Sequence, residues 1–181
     1  MKNTGTFLLV LIAIAVIWGI STYNKFTKSE EQMSEAWSQV ENVYQRRMEL
    51  IPSLLSVVKS YTNYENKALV EVVESRAQKA AAYVVNPESP SQEQIEGFDE
   101  VQQQLGTAVN DVIVSVENYP ELKAVESYQT FLVQYEGSEN RILVERQRFN
   151  ETVQKYNSAV KRFPSKLIAN LFGFEPHPYF S

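Results

Sequence analysis

Cysteine is missing from this 181-residue chain, and histidine occurs only once, at His177. Without cysteine the protein has no disulfide framework, no thiolate metal site and no cysteine nucleophile. One histidine also excludes the paired histidines of zinc sites and of di-metal helical bundles. The chain has no glycine-rich phosphate loop and no nucleophile elbow. We therefore predict that it binds no metal or cofactor and is not an enzyme.

Glycine and proline are also scarce, with 6 and 7 residues respectively, so a disordered or fibrous class is excluded. The net charge is -5, which argues against nucleic-acid binding, because nucleic-acid binders carry a basic patch or stripe. The chain length suits one domain with a short appendage.

Charge is lacking from residues 3–24, between Lys2 and Lys25. Within this span residues 7–20 read FLLVLIAIAVIWGI. A membrane-spanning helix needs about 20 predominantly apolar residues. We therefore predict a membrane anchor at residues 1–24, with residues 5–23 in contact with the lipid bilayer. A cleaved signal peptide is the alternative, because the strongly apolar core is short.

The charges that flank the apolar segment do not orient the protein. Lys2 and the terminal amine precede the segment, and Lys25 and Lys28 follow it. Because positive charge is nearly equal on the two sides, the side of the membrane on which the large domain lies stays open.

Apolar residues recur every three or four positions after residue 29, as in the seams of helical bundles and coiled coils. The pattern predicts long helices over about 29–83, 90–118 and 121–162 and a short helix over 165–174, with Ser89 as the N-cap of the second. The fold class is thus all-α, an antiparallel up-and-down bundle of three long helices over residues 25–174. Residues 175–181 form an irregular tail.

Pro52 interrupts the first long helix of this scheme. It lacks an amide proton and its ring collides with the carbonyl of Met48, at a cost of about 3 kcal/mol. Two alternatives follow. The helix is kinked and continuous at Pro52, or it divides there into two helices, which makes a four-helix bundle.

Charged residues on the apolar seams require partners, since a buried unpaired charge is very costly. Arg47 falls on the seam of the first helix, and Glu139 and Arg146 fall on that of the third. We predict that Arg47 meets Glu139 across the bundle, with Arg141 or Glu136 adjacent. In the alternative, Arg47 lies beside the seam and its guanidinium reaches solvent.

Four aromatic residues gather near the carboxyl end, and two roles suit them. In the first they close one end of the bundle, and in the second they form a docking surface for a partner or the membrane interface. The four candidates are Phe172, Phe174, Tyr179 and Phe180.

Several sequence blocks together resemble the LemA family of bacterial membrane proteins. The blocks are RRMELIP (46–52), SENRI (138–142), RFNETVQKYN (148–157), RFPSKLIANLFGF (162–174) and HPYF (177–180). The resemblance covers about residues 24–180. It implies an antiparallel helical bundle with one membrane anchor, and it implies no catalytic residues.

The function predicted from these observations is a membrane-tethered scaffold or adaptor of the bacterial cell envelope. It would be a single-pass protein of the inner membrane with an unidentified protein partner. The alternative is a self-assembling or lipid-interacting structural protein, and homo-oligomers belong to that alternative.

Overall fold

A computed structural model describes residues 2–61, 67–85 and 90–180. Over these residues the chain forms six helices and no strand, so the all-α class is confirmed. The helices are α1 (Lys2–Ser60), α2 (Lys67–Ala82), α3 (Gln92–Val116), α4 (Pro120–Lys123), α5 (Glu126–Lys161) and α6 (Ser165–Phe172).

The apolar segment and the first helix of the bundle form one continuous helix, α1, with 59 residues. Its span from Gly5 contains the one stretch in the described chain that is long and apolar enough to cross a membrane. No interruption falls near residues 24 and 25, where the sequence suggested a boundary between anchor and bundle. Pro52 also lies inside α1, so the helix does not divide there.

The predicted helix over 29–83 is divided at a different place. α1 ends at Ser60 and α2 begins at Lys67, so the bundle has four long helices, α1, α2, α3 and α5. The interruption changes the phase of the apolar stripe. Two heptads beyond buried Val58, a stripe that continued in phase would include Val72, but Val72 is 45% exposed whereas Val70 and Val73 are buried.

Contacts between the long helices give their directions. Phe26 of α1 meets Tyr156 of α5, and Arg47 of α1 meets Glu139 of α5, so the two helices are antiparallel. α2 is antiparallel to α3, because Arg76 contacts Gln104 and Tyr83 contacts Phe98. Tyr44 of α1 contacts Phe98 of α3 and Arg47 contacts Gln102, so α1 and α3 are parallel and the order is up, down, up, down.

Helix ends follow ordinary capping chemistry, with one shift from the prediction. The N-cap of α3 is Ser91, which forms a reciprocal capping box with Gln94. The predicted cap, Ser89, lies outside the described residues. α6 ends at Gly173, whose φ of 77° is the left-handed conformation that glycine adopts without steric cost. The third predicted helix is divided at Ala124 and Val125 into α4 and α5.

Buried side chains form three clusters along the bundle. The basal cluster surrounds Phe26, the central cluster surrounds Trp37, and the distal cluster surrounds Leu54, toward the Ser60 end of α1. The basal cluster contains Phe26, Tyr156, Val160 and Ala169; the central includes Trp37, Tyr44, Phe98, Phe149 and Phe180; the distal includes Ile51, Leu54, Val73, Leu105 and Tyr135.

Candidate functional site

A layer of polar side chains lies between the central and distal clusters. Arg47 is 3% exposed, and its Nη1 donates to Glu139 Oε1 at 2.9 Å. Its Nη2 donates to the carbonyl oxygen of Gln102 at 2.9 Å and to Gln102 Oε1 at 2.5 Å. The structure therefore brings Arg47 and Glu139 together. We refer to Arg47, Gln102 and Glu139 as the polar layer.

Two tyrosines border the polar layer. The guanidinium of Arg47 lies 5.0 Å from the ring centroid of Tyr44, at cation–π distance. Burial, reinforced by the charge of Glu139, raises the pKa of Tyr135 to about 12. Burial likewise raises the pKa of Tyr44. Both phenols therefore stay protonated near neutral pH and act as neutral neighbours of the ion pair.

A second ion pair lies closer to the base of the bundle. Arg146 donates from Nη1 and Nη2 to the two carboxylate oxygens of Asp99, at 2.6 and 3.1 Å. This bidentate geometry is the strong form of the arginine–carboxylate pair. The guanidinium of Arg146 also lies 4.6 Å from the ring centroid of Phe180. Arg146 thus joins α5 to α3 and to the carboxyl-terminal tail.

Arg141 lies elsewhere, which corrects the prediction that it is a seam charge adjacent to Arg47 and Glu139. Its side chain is exposed and lines a groove between α1 and α5, opposite Arg46 and Glu49. Arg141 lies three residues beyond Ser138, which is buried on the α5 seam. Three residues are slightly less than one helical turn, so the side chain of Arg141 lies beside the core face and not on it. Glu136 is exposed as well.

The tail packs along α5 through two asparagines that the sequence did not single out for this role. Asn150 exchanges hydrogen bonds with the backbone N–H and carbonyl of Phe180, at 2.9 and 3.0 Å. Asn157 does the same with His177, at 2.8 and 2.7 Å. The two asparagines are seven residues apart, hence on one helix face. That repeated spacing was the available signal.

The aromatic candidates at the carboxyl end separate into different environments. Phe180 is 4% exposed and stacks on Trp37 at a centroid distance of 5.7 Å. It belongs to the central cluster, so its assignment to a partner surface was wrong. Phe174 is half-buried against Phe26. Phe172 and Tyr179 remain 56% and 50% exposed.

His177 lies in a small polar group at the base of the bundle. Its Nε2 is 4.0 Å from Glu30 Oε1, and the hydroxyl of Tyr156 donates to the same oxygen at 2.9 Å. Burial lowers the pKa of His177. Burial and the hydrogen bond to Glu30 raise the pKa of Tyr156. The group connects α1, α5 and the tail.

Comparison with known proteins identifies the family of the chain. The model of the LemA family matches residues 36–181. This chain belongs to the LemA family. The matched region contains the polar layer, the Arg146–Asp99 pair and both tail-binding asparagines.

Individual relatives of this LemA-family chain are distant but align over most of its length. The magnetosome proteins MamQ 1 and MamQ 2 of Paramagnetospirillum magneticum are each 23% identical, over 96% of this chain and 71% of theirs. Protein LemA of Metamycoplasma hominis is 22% identical over 90% of this chain and 70% of its own. With its apolar amino-terminal helix, the chain is thus a LemA-like, membrane-associated protein.

Proposed function

We propose that this LemA-family chain is a non-catalytic scaffold or adaptor, anchored by one helix in the bacterial inner membrane. One observation carries the proposal: α1 continues without interruption from its apolar segment into the core of the bundle. A partner bound to the bundle would therefore be held in a set position relative to the membrane.

The pairing of the buried charges supports a non-catalytic role. Arg47 and Arg146, the two arginines on the seams, each bind a carboxylate and pack against aromatic rings. Catalytic groups instead face an open site, with pKa values shifted to suit proton transfer. The polar layer contains no such poised group, and its geometry fits a role in holding α1, α3 and α5 in register.

The groove between α1 and α5 is our candidate for the partner surface. It has a volume of about 750 Å³, with Arg46, Glu49 and Leu50 on one wall and Val133 and Arg141 on the other. Val133 is 72% exposed, which is high for valine on a helix of a bundle. Charges beside an apolar wall suit a protein partner with a polar rim and an apolar centre.

Site-specific photo-cross-linking in native membranes tests this function. A photoreactive phenylalanine would replace Val133 or Arg141 in the groove, and Val114, which is 64% exposed on α3, serves as the control position. We expect the groove positions to yield one reproducible protein adduct that the control does not. Val133→Glu, tested with the probe at Arg141, should abolish the adduct. Equal labelling at all positions contradicts the proposal.

Self-assembly is the second candidate, and the exposed apolar residues of α5 favour it. Val133, Leu143 and Val144 are 72%, 66% and 56% exposed. In the same experiment, an adduct of twice the mass of the chain would identify a second copy as the partner. Sedimentation of the full chain in detergent would then show assembly that depends on protein concentration.

A further inference from the structure

The short helix α6 packs beside the end of the apolar segment of α1. Ile168 Cδ1 lies 3.5 Å from the position that a Cβ on Gly19 would occupy. The ring of Phe172 lies 4.9 Å from that of Tyr23. These contacts place α6 level with the carboxyl end of the uncharged run, where a spanning helix meets the lipid headgroups.

α6 presents an apolar face that no described residue of the chain covers. Leu167 and Leu171 are 58% and 72% exposed and lie one turn apart. Phe163, which precedes α6 in the turn before Pro164, is 78% exposed as well. Ala169, by contrast, is buried in the basal cluster. α6 therefore has two apolar faces, one with Ala169 and one with Leu167 and Leu171. One face holds it against the bundle, and the other faces outward.

Positive charge accompanies this outward face. Lys161, Arg162 and Lys166 are all exposed, and Lys25 is exposed on the neighbouring part of α1. An apolar helix face beside lysine and arginine is the arrangement with which interfacial helices bind anionic lipid surfaces. A protein partner would have to fit this face while sharing the space with the headgroups around α1.

We propose that α6 lies in the bilayer surface as a second membrane contact, an inference that rests on the proposed membrane anchor. Phe163, Leu167 and Leu171 enter the boundary between headgroups and acyl chains, about 5–10 Å deep. Lys161, Arg162 and Lys166 bind anionic phospholipid headgroups. The base of the bundle is then fixed to the membrane at two places, which restricts its tilt.

Spin labelling of the full chain tests the proposal, and the natural lack of cysteine provides the background. Nitroxide labels would be attached after L171C, K166C, L143C or I14C substitution. Each protein is reconstituted in vesicles of phosphatidylethanolamine and phosphatidylglycerol. For each label we compare two collision rates. One is the rate with oxygen, which concentrates in lipid, and the other is the rate with a water-soluble nickel chelate. Position 143 is the matched exposed control on α5, at 66% against 72% for Leu171.

We expect the label at 171 to resemble that at 14, with oxygen collisions dominant and nickel collisions several-fold lower than at 143. The label at 166, on the polar face of α6 and one residue from apolar Leu167, should stay accessible to nickel. If 14 is in lipid while 171 behaves like 143, the interfacial helix is wrong and the anchor stands. If 171 is shielded from both reagents, a protein covers it and the proposal fails. If 14 is also in water, the anchor and the interfacial helix fail together.

Discussion

At the scale of single residues, the polar layer separates two apolar clusters that would otherwise be continuous. Arg47 contacts α3 through Gln102 and α5 through Glu139 in the same plane of the bundle. A shift of either helix by one turn would leave a buried guanidinium without a carboxylate. Such a shift is strongly disfavoured, so the layer specifies register.

Removing the carboxylate of the polar layer should destabilise the bundle. In Glu139→Ala, Arg47 keeps Gln102 but loses its counter-charge, and we expect a loss of about 1–3 kcal/mol in the free energy of unfolding. Glu139 is 40% exposed, which keeps the value below that of a fully buried pair. Chemical denaturation of the full chain in detergent, followed by circular dichroism, measures the change.

Glu117→Ala is the matched control, because Glu117 pairs with Lys123 while both side chains are largely exposed, at 56% and 45%. Exposed pairs contribute about 0–1 kcal/mol. Equal losses for Glu117→Ala and Glu139→Ala would contradict the structural role of the polar layer.

Phe180 and Tyr179 are sequence neighbours with opposite environments, and they give a second prediction. Phe180→Ala removes a ring from the central cluster and should cost about 2–4 kcal/mol, toward the low end if the tail detaches. Tyr179→Ala should stay within about 0.5 kcal/mol, since its ring is half exposed. Trp37 fluorescence in a Trp18→Phe background should shift to longer wavelength only in Phe180→Ala. A shift in Tyr179→Ala alone would reverse our assignment.

The residues of the polar layer show what sequence patterns can and cannot reveal. Arg47 and Glu139 were recognisable as a pair, because each is a charge at a position where the helical period requires an apolar residue. Gln102 gave no such signal: it is buried at 3% exposure, but it is uncharged and is one of three consecutive glutamines, so the sequence does not distinguish it from its neighbours. The tail presents the same difficulty, because a proline-rich irregular segment has no period from which burial could be deduced.

At the scale of elements, helical periodicity located the seams of α1, α3 and α5, but it missed the interruption after Ser60 and therefore the phase of the seam in α2. The residues of α1 from Trp37 to Val58 and those of α5 from Tyr128 to Val160 are buried with the predicted spacing. The division between Ser60 and Lys67 was missed because no proline or glycine occurs there. Pro52, the strongest breaker in the region, lies instead within a helix that tertiary packing maintains.

Pro52 should therefore destabilise the folded chain, although α1 does not divide there. Its replacement by alanine restores an amide that can bond to the carbonyl of Met48. We expect Pro52→Ala to stabilise the full chain by about 1–2 kcal/mol, after allowance for the greater entropy of its unfolded state. Denaturation in detergent measures the effect, with exposed Ser53→Ala as the control. Destabilisation by Pro52→Ala would show that the bundle requires the local geometry that proline imposes.

Docking of the tail should depend on pH through His177. Burial lowers the pKa of His177 below the ordinary value of 6.5, so the unfolded chain binds this proton more readily than the folded chain. The contribution of His177 to stability is full above the ordinary pKa. It is lost as the pH falls from that value toward the lower folded pKa.

We therefore expect the denaturation midpoint to decrease between about pH 7.5 and about pH 5.5, a window that brackets the ordinary histidine pKa. His177→Gln should lessen this decrease while keeping the backbone hydrogen bonds to Asn157. The same pH dependence in both proteins would exclude His177 as its cause.

At the scale of the whole molecule, the anchor and the bundle share one helix, and this gives a measurable prediction. Between Ile20 and Ser60, α1 spans about 60 Å at 1.5 Å per residue. Energy transfer from a dye at Ser60→Cys to headgroup acceptors should therefore be weak, and transfer from Lys28→Cys should be strong. Similar efficiencies at the two positions would indicate a bundle lying along the membrane.

The unbroken course of α1 determines the height at which the groove between α1 and α5 meets other molecules. Arg46 lies 26 residues beyond Ile20, which corresponds to about 40 Å along α1 from the end of the apolar segment. A flexible linker would let the bundle search a range of heights, but a helix does not. If α1 is the anchor and the groove the partner surface, as proposed, only partners whose own contact surface stands about this far from the bilayer would engage the groove, and α1 would select among membrane neighbours by distance as well as by chemistry.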